Sequence, residues 1–538
     1  KLEKVSNANV SNAENTIDFS YKFDKLTNVV NGLDNASYTY DEEGEVRKVE
    51  LNGEITEYVT EKNVVRNGKD CQSLTRVLPT GDRETVYSAK DGTYTEAVLN
   101  GVTISKQTYD EAGNLTRFED KRTDKDTDYE YDELDRVKII SSVVTNEDDE
   151  IVDEKREGYG YNEYGEVKSK TIDLNGKTDQ YTYGYKNRAS RELDYTQVNG
   201  WISQNYVDIY GRYLGKNIMP ELDSGTPVAE TYTYLDNKLS GRLDGKPQKL
   251  VLYNGEGEIT FEYGYDEAQN ISEVKKNGYD DVLYYYDMFN RLTQETNFKF
   301  DERYLFYYDK CGNILKKVVK SKDGRTTQKT CVYGYSGNKL IAYNGEACEY
   351  SGNKLTKWRN NAVEWQGRNL TKLGTNTFTY DGFNNRRRKN SIYFTYDSQD
   401  NLIEQSNGLH FMYDHTGVMG FTYQGQTYFY QKDLQGNIVT IVNAAGAPVV
   451  QYYYDAWGNH KVYDGDYITE MTSPTFIGNL NPFRYRGYYY DIETKLYYLQ
   501  SRYYDPEVGR IISADQVEYT TPEAFDGLNI YAYCNNNP

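Results

Sequence analysis

The chain has 538 residues, with 83 Asp+Glu against 62 Lys+Arg and a formal net charge of −21. That excess of acid argues against sequence-independent nucleic-acid binding, which rests on neutralising phosphates, and no apolar run reaches the ~18 residues of a membrane-spanning helix. Tyrosine is over-represented, 58 against 17 Phe; a large ring whose hydroxyl must stay wet or bonded suits sheets with one packed face.

The N-terminus (KLEKVSNANVSNAENT) is polar, lacks Met and has no apolar signal core, as expected of an internal piece of a longer protein. Residues 1–100 hold degenerate copies of one unit, the best being Tyr40-Asp41 in YTYDEEGEV. Residues 101–440 form the repeat array proper, with YDEAGNL at Tyr109-Asp110, YDELDRV at Tyr131-Asp132 and YDEAQNI at Tyr265-Asp266. The same plan recurs in YDMFNRL, YDKCGNI and YDSQDNL, beginning at Tyr286, Tyr308 and Tyr396.

Each copy reads as strand, tight turn, strand. Tyr129 and Tyr131 share one strand face, and Asp132 opens the turn by accepting a nearby backbone N–H. Gly113, Asn270, Asn290 and Gly312 are expected to supply the φ > 0 position of a bulged hairpin loop. Leu115, Val137, Ile271, Leu292 and Ile314 then resume the strand. Asp110 and Asp132 are 22 residues apart, and Asp381 and Asp397 are 16 apart; such a unit holds two ordinary strands and two turns. Self-similarity at this period implies a stack or spiral of one supersecondary unit. Residues 441–538 are denser in aromatics, and the one helical signal is TTPEAFDG, where Thr521 caps, Pro522 starts and Gly527 stops a short helix.

Five scattered cysteines make no disulfide scaffold, although Cys311 and Cys331 flank a hairpin and could pair. His410, His415 and His460 lack further ligands at metal-binding spacing and read as surface residues. The basic cluster Arg386, Arg387, Arg388 and Lys389 reads as a solvated turn. DEEGE and NEDDE lack the order of an EF-hand loop, and no phosphate loop or zinc motif is present. No cofactor and no metal are expected.

The repeats resemble the YD repeats of the RHS family. QGNIVTIVNAAGAPVVQYYYDAWGN looks like that family's last repeats, and NPFRYRGYYYDIETKLYYLQSRYYDPEVGRIISADQ with LNIYAYCNNNP is similar to its RHS-associated core. The core likeness covers about 60 residues without a gap. The family includes bacterial polymorphic toxins, wall-associated proteins and the C subunit of insecticidal toxin complexes, and the animal teneurins carry related repeats. The resemblance implies an all-β fold: a spiralling strip of antiparallel hairpins forming a hollow shell, with a C-terminal core plug in 441–538. It further implies a C-terminal toxin as cargo, freed inside the shell by an aspartyl autoprotease that cuts once and does not turn over. The cleavage site and toxin would follow Pro538.

By that likeness Asp505, Asp515 and Arg502 match the self-cleavage positions. Two carboxylates sharing a proton can activate water against an amide, and an arginine can hold one ionised or polarise the carbonyl. The alternative reading makes Asp505 one more turn aspartate with Arg502 as its ion-pair partner. The sequence departs from the family at Gln516, where Pro is usual, and at Lys495, where Gly is common.

Two functions stand at this point. One is a secreted shell that encapsulates and delivers a toxin. The other is a wall-associated or cell-surface adhesion scaffold that binds carbohydrate or protein partners without cleavage. Both place the protein outside the cell or on a bacterial surface, with an upstream shell portion or a partner chain as a further expected contact.

Overall fold

The computed structural model describes residues 4–6, 16–31, 34–145, 151–186, 191–220, 228–234, 245–516, 520 and 527–538. The helix expected at 521–527 falls almost wholly outside them. Among the described residues the chain is a nearly uninterrupted antiparallel meander, each strand hydrogen-bonded to the next. Thirty strands from Lys4–Ser6 to Glu346–Ala347 form a first strip, and fourteen from Glu349–Ser351 to His460–Asp464 form a second. Four short strands between Tyr489 and Ile511 form a separate sheet in the core. Among the described residues helix is confined to single turns, the α-helical one at Ile477–Leu480.

The turn chemistry read from sequence is realised. Asp110 Oδ1 accepts the N–H of Asn114 at 2.8 Å, while Gly113 N–H closes on Asp110 O at 3.1 Å. The strand register then slips by one residue at Tyr109. The left-handed position is the third after the aspartate: Gly113 (φ 88), Asp135 (φ 56), Asn290 (φ 62), Gly312 (φ 76). In YDEAQN it is Gln269 (φ 70) rather than Asn270; Asn270 donates its side chain to Asp266 Oδ2 at 3.0 Å. Following strands start at Leu115, Val137, Ile271, Leu292 and Ile314, as expected.

The tyrosine of each pair explains itself one repeat back. Tyr131 OH donates to Leu115 O at 2.8 Å, Tyr161 to Val137 O at 2.6 Å, and Tyr286 to Ile271 O at 2.8 Å. Tyr413 to Leu402 O and Tyr454 to Ile438 O repeat the bond at 2.9 and 2.7 Å. These hydroxyls tie their repeats to the first carbonyl after the previous turn, whereas Tyr109 bonds Gln107 Oε1 and Tyr380 bonds the Tyr503 hydroxyl. A hydrogen bond of this kind contributes about 1 kcal/mol net, and phenylalanine would lack it.

The second strip packs along the first with contacts far apart in sequence. Lys170 Nζ meets Asp397 Oδ2 at 2.7 Å, Lys216 Nζ meets Asp414 Oδ2 at 2.7 Å, and Gln431 Nε2 donates to Tyr253 O at 2.8 Å. Within the first strip itself, Asn338 Nδ2 reaches Asp34 Oδ1 at 2.9 Å. Apolar contacts follow the same line, with Phe383 stacked on Phe118 at 3.8 Å and Trp457 against Phe306 at 5.6 Å. The aspartate turns of the second strip therefore lie in a seam against the first.

Three sequence readings are corrected here. The basic cluster is no solvated turn: Arg386 and Lys389 are buried, since both face Asp491 of the core. Nor are all the histidines surface residues. His410 Nε2 lies 2.7 Å from Asp179 Oδ2 across the seam, and His460 sits against Arg484 and the Tyr497 hydroxyl. Finally, no disulfide joins Cys311 to Cys331.

Candidate functional site

The core begins with the short helix at Ile477–Leu480. Buried Arg484 takes up its carbonyls, donating to Gly478 O and Asn479 O at 3.2 and 3.1 Å. Asn481, fully buried, donates to Phe483 O and accepts from Tyr430 OH, both at 2.6 Å. The NPFRYRG segment is thus a polar knot that anchors the core to the last strands of the second strip.

Two hairpins follow. Tyr489–Asp491 pairs with Leu496–Tyr498, and Tyr503–Asp505 pairs with Arg510–Ile511. Lys495 occupies the turn of the first with φ 59, the left-handed region that explains why glycine is common there. Arg386 docks this sheet from the strip: Nη1 meets Asp491 Oδ2 at 2.5 Å and Tyr503 OH at 3.2 Å, with aromatic rings around its guanidinium. Lys389 adds Asp491 Oδ1 at 3.1 Å and Glu493 at 2.8 Å.

The structure brings Arg502 and Asp515 together. Arg502 Nη1 lies 2.7 Å from Asp515 Oδ2, both side chains partly exposed at the open end of the second hairpin. Asp515 N–H donates to Ile530 O at 2.9 Å, and Gln516 N–H donates to Asp515 Oδ1 at 2.8 Å. Asp505 sits at the closed end, roughly 10 Å away along the strand at ~3.3 Å per residue. Its Oδ2 accepts from Trp358 Nε1 at 3.0 Å and Arg359 Nη1 at 3.3 Å, and its Oδ1 accepts the N–H of Glu507 at 3.0 Å. Burial pushes the Asp505 carboxyl above its ordinary value, and Arg359 and Trp358 offset only part of that. Among the described residues no hydrogen bond or ion pair joins Asp505 to Arg502 or Asp515. The ion-pair partner of Asp505 is Arg359, not Arg502.

Arg502 and Asp515 line a cavity of about 210 Å³. Its walls come from three separate stretches of chain: Leu51 to Thr80, Tyr350 to Arg368, and the core from Ser501 to Tyr531. The lining mixes apolar groups such as Leu355, Trp365 and Ile512 with Arg76, Arg368 and Asp515. Sequence reasoning missed Trp358, Arg359, Arg386 and Lys389 as core-docking residues. Their contacts reach across more than a hundred residues, and only the unusual basic run at 386–389 gave any local signal.

Fold and repeat together define the class: the chain is a strip of antiparallel YD-repeat hairpins with a small core sheet, and it resembles the RHS-repeat shell proteins. No protein-family model matches it. It is 27% identical over 310 residues to the tRNA3(Ser)-specific nuclease WapA of Bacillus spizizenii, covering 55% of this chain and 11% of that protein. It is 41% identical over 112 residues to the tRNA nuclease WapA of Bacillus subtilis, covering 21% of this chain and 4% of that one. The crystal structure of TcdB2-TccC3-Cdc42 aligns over 97% of this chain and 30% of its own, with a TM-score of 0.72 at 14% identity. The chain thus spans a small part of the curated relatives it matches.

Proposed function

We propose that this chain is the wall and core of a container for a C-terminal effector, and that the core severs that effector from the wall by a single self-cleavage. The observation that carries the reading is the seating of the core. Buried pairs of Arg386 and Lys389 with Asp491, and of Arg359 with Asp505, make it part of the wall, with Arg502–Asp515 presented at a cavity. The shared fold with a toxin-complex shell and the likeness to WapA nucleases support the same reading.

In this proposal Asp515, oriented by Arg502, takes a proton from water as the oxygen adds to the scissile carbonyl carbon. The carbon–nitrogen bond then breaks and the leaving amine gains a proton. Asp505, whose burial favours its protonated form, is the proposed donor, and a shift of the hairpin would have to bring it to the amide. The test uses the full-length protein with its downstream residues. Asp515→Asn is expected to leave wall and effector as one band on a denaturing gel, and normal processing of that variant would overturn the assignment.

A second reading, a surface scaffold without cleavage, has one observation in its favour. Asp505 spends its carboxylate as the other turn aspartates do, on the N–H two residues on and on a neighbouring cation. The full-length parent and Asp505→Asn separate the two: a parent that stays one band supports the scaffold, while a cleaved parent with a folded, uncleaved Asp505→Asn supports the acid role.

A further inference from the structure

The peptide bearing Asp515 is also held from the opposite end of the sequence. Arg76, on the strand Lys69–Val77 of the first strip, donates from Nη1 to Gln516 Oε1 at 2.7 Å. Arg76 is itself fixed by Glu84 of the next strand, through Nε at 3.0 Å and through Nη2. Glu84 also meets Arg368 of the second strip at 3.3 Å. First strip, second strip and core therefore meet in one chain of charge-assisted contacts at the wall of the 210 Å³ cavity. The departure at Gln516 is what permits this. A proline there would have neither the side-chain acceptor for Arg76 nor the N–H that Asp515 Oδ1 accepts.

We propose that Arg76 is a positioning residue that sets Asp515 through Gln516, so that self-cleavage proceeds only once the first strip is seated against the second strip and the core. The inference rests on the self-cleavage proposed above and goes beyond it by naming what gates it. The physical argument is orientation. Asp515 is partly exposed, and its two oxygens are fixed by Arg502 on one side and the 516 N–H on the other. Without Arg76 the 516 side chain is released, and a misplacement of about 1 Å at a reacting group lowers a rate by up to about a hundred-fold. Cleavage would then follow closure of the wall, and an effector would not be cut loose from an unfinished container.

The experiment follows the rate at which the two fragments appear from the full-length chain made by cell-free synthesis. Variants Arg76→Met, Arg76→Lys, Gln516→Leu and the double Arg76→Met/Gln516→Leu are compared, with Asp515→Asn as control. Arg76→Met and Gln516→Leu are each expected to slow cleavage about ten- to a hundred-fold at an unchanged melting temperature. The double variant is expected to be no slower than either single, and Arg76→Lys to recover much of the rate. Should Arg76→Met fail to fold, Gln516→Leu alone decides. Cleavage within about two-fold of the parent in Gln516→Leu, while Asp515→Asn is blocked, overturns the inference and leaves the proposed function standing. So do additive losses in the double variant. Normal cleavage of Asp515→Asn overturns both.

Discussion

The turns of the first strip and those of the second share a motif but keep their charge in different ways. At Asp132, Asp208 and Asp287 the fourth residue on is arginine, which returns to the aspartate within the same turn at 2.7–2.8 Å. Arg136 and Arg212 then lie over the tyrosine of the next repeat at 4.3 and 4.6 Å. Hydrogen bonds and arginine hold the Asp132 carboxyl down, at about 2. At Asp381, Asp397, Asp433 and Asp455 the fourth residue is asparagine, which completes the turn but supplies no charge. These turns lie in the seam, where Asp397 gains Lys170 while burial pushes Asp381, Asp433 and Asp455 up to about 6. An arginine turn is self-sufficient and can face water; an asparagine turn suits a place where something docks. Asn270 and Asn313, in the first strip, fit the rule because the core covers them through Asn537 and Arg510. Asn114, with an exposed turn tip, is the exception.

The comparison is broken most sharply by removing a seam cation. Lys170→Met leaves Asp397 and Glu157 buried without it and is expected to cost about 3–5 kcal/mol in chemical denaturation. A loss below about 1 kcal/mol would mean that the seam does not depend on that charge. Arg386→Met should cost a similar amount and also loosen the core, read as faster hydrogen exchange at Tyr489–Asp491. In contrast, Arg136→Met at a solvent-facing turn should cost under about 1 kcal/mol.

Tyrosine bonds should not distinguish the strips. Tyr131→Phe and Tyr413→Phe are each expected to cost about 1 kcal/mol, and a clear difference between them would show that burial outweighs the bond.

The strips also differ in their response to pH. Asp381, Asp433 and Asp455 have folded values above their ordinary one, so the stability they contribute is full below about pH 4 and is lost as pH rises through about 6. His410, raised to about 9 by Asp179 and Glu404, contributes stability that is complete below about 6.5 and lost as pH rises through 9. Melting temperatures of the parent and of His410→Gln should therefore converge above pH 9; a constant gap from pH 6 to 10 would remove His410 from the seam's pH response.

Much of the strip was legible because its information is local. A tyrosine, an aspartate and a left-handed residue three positions on specify one turn, and the strands began where the sequence placed them. The Arg-or-Asn choice at the fourth position was equally visible, in YDELDR against YDSQDN, yet its meaning needs the seam. What was not legible is what the seam decides. Nothing near Trp358 or Arg359 points to Asp505, and a basic run reads as solvated until its counter-ion, Asp491, is found a hundred residues later. The candidate site shows the same limit. Its residues came from family likeness, and only the fold shows Arg502 beside Asp515 with Asp505 held apart.

The tyrosine bond that reaches back to the preceding repeat has a consequence for synthesis. Each hairpin finds its partner in chain already made, so the strip can be laid down in the order in which it leaves the ribosome, at low contact order. The seam cannot be built that way. Lys170 waits for residue 397, Tyr253 for residue 431, and Arg76 for residue 516. Growth of the strip is local and steady, whereas the seam forms as a late, long-range event that waits for the second strip and the core to be made.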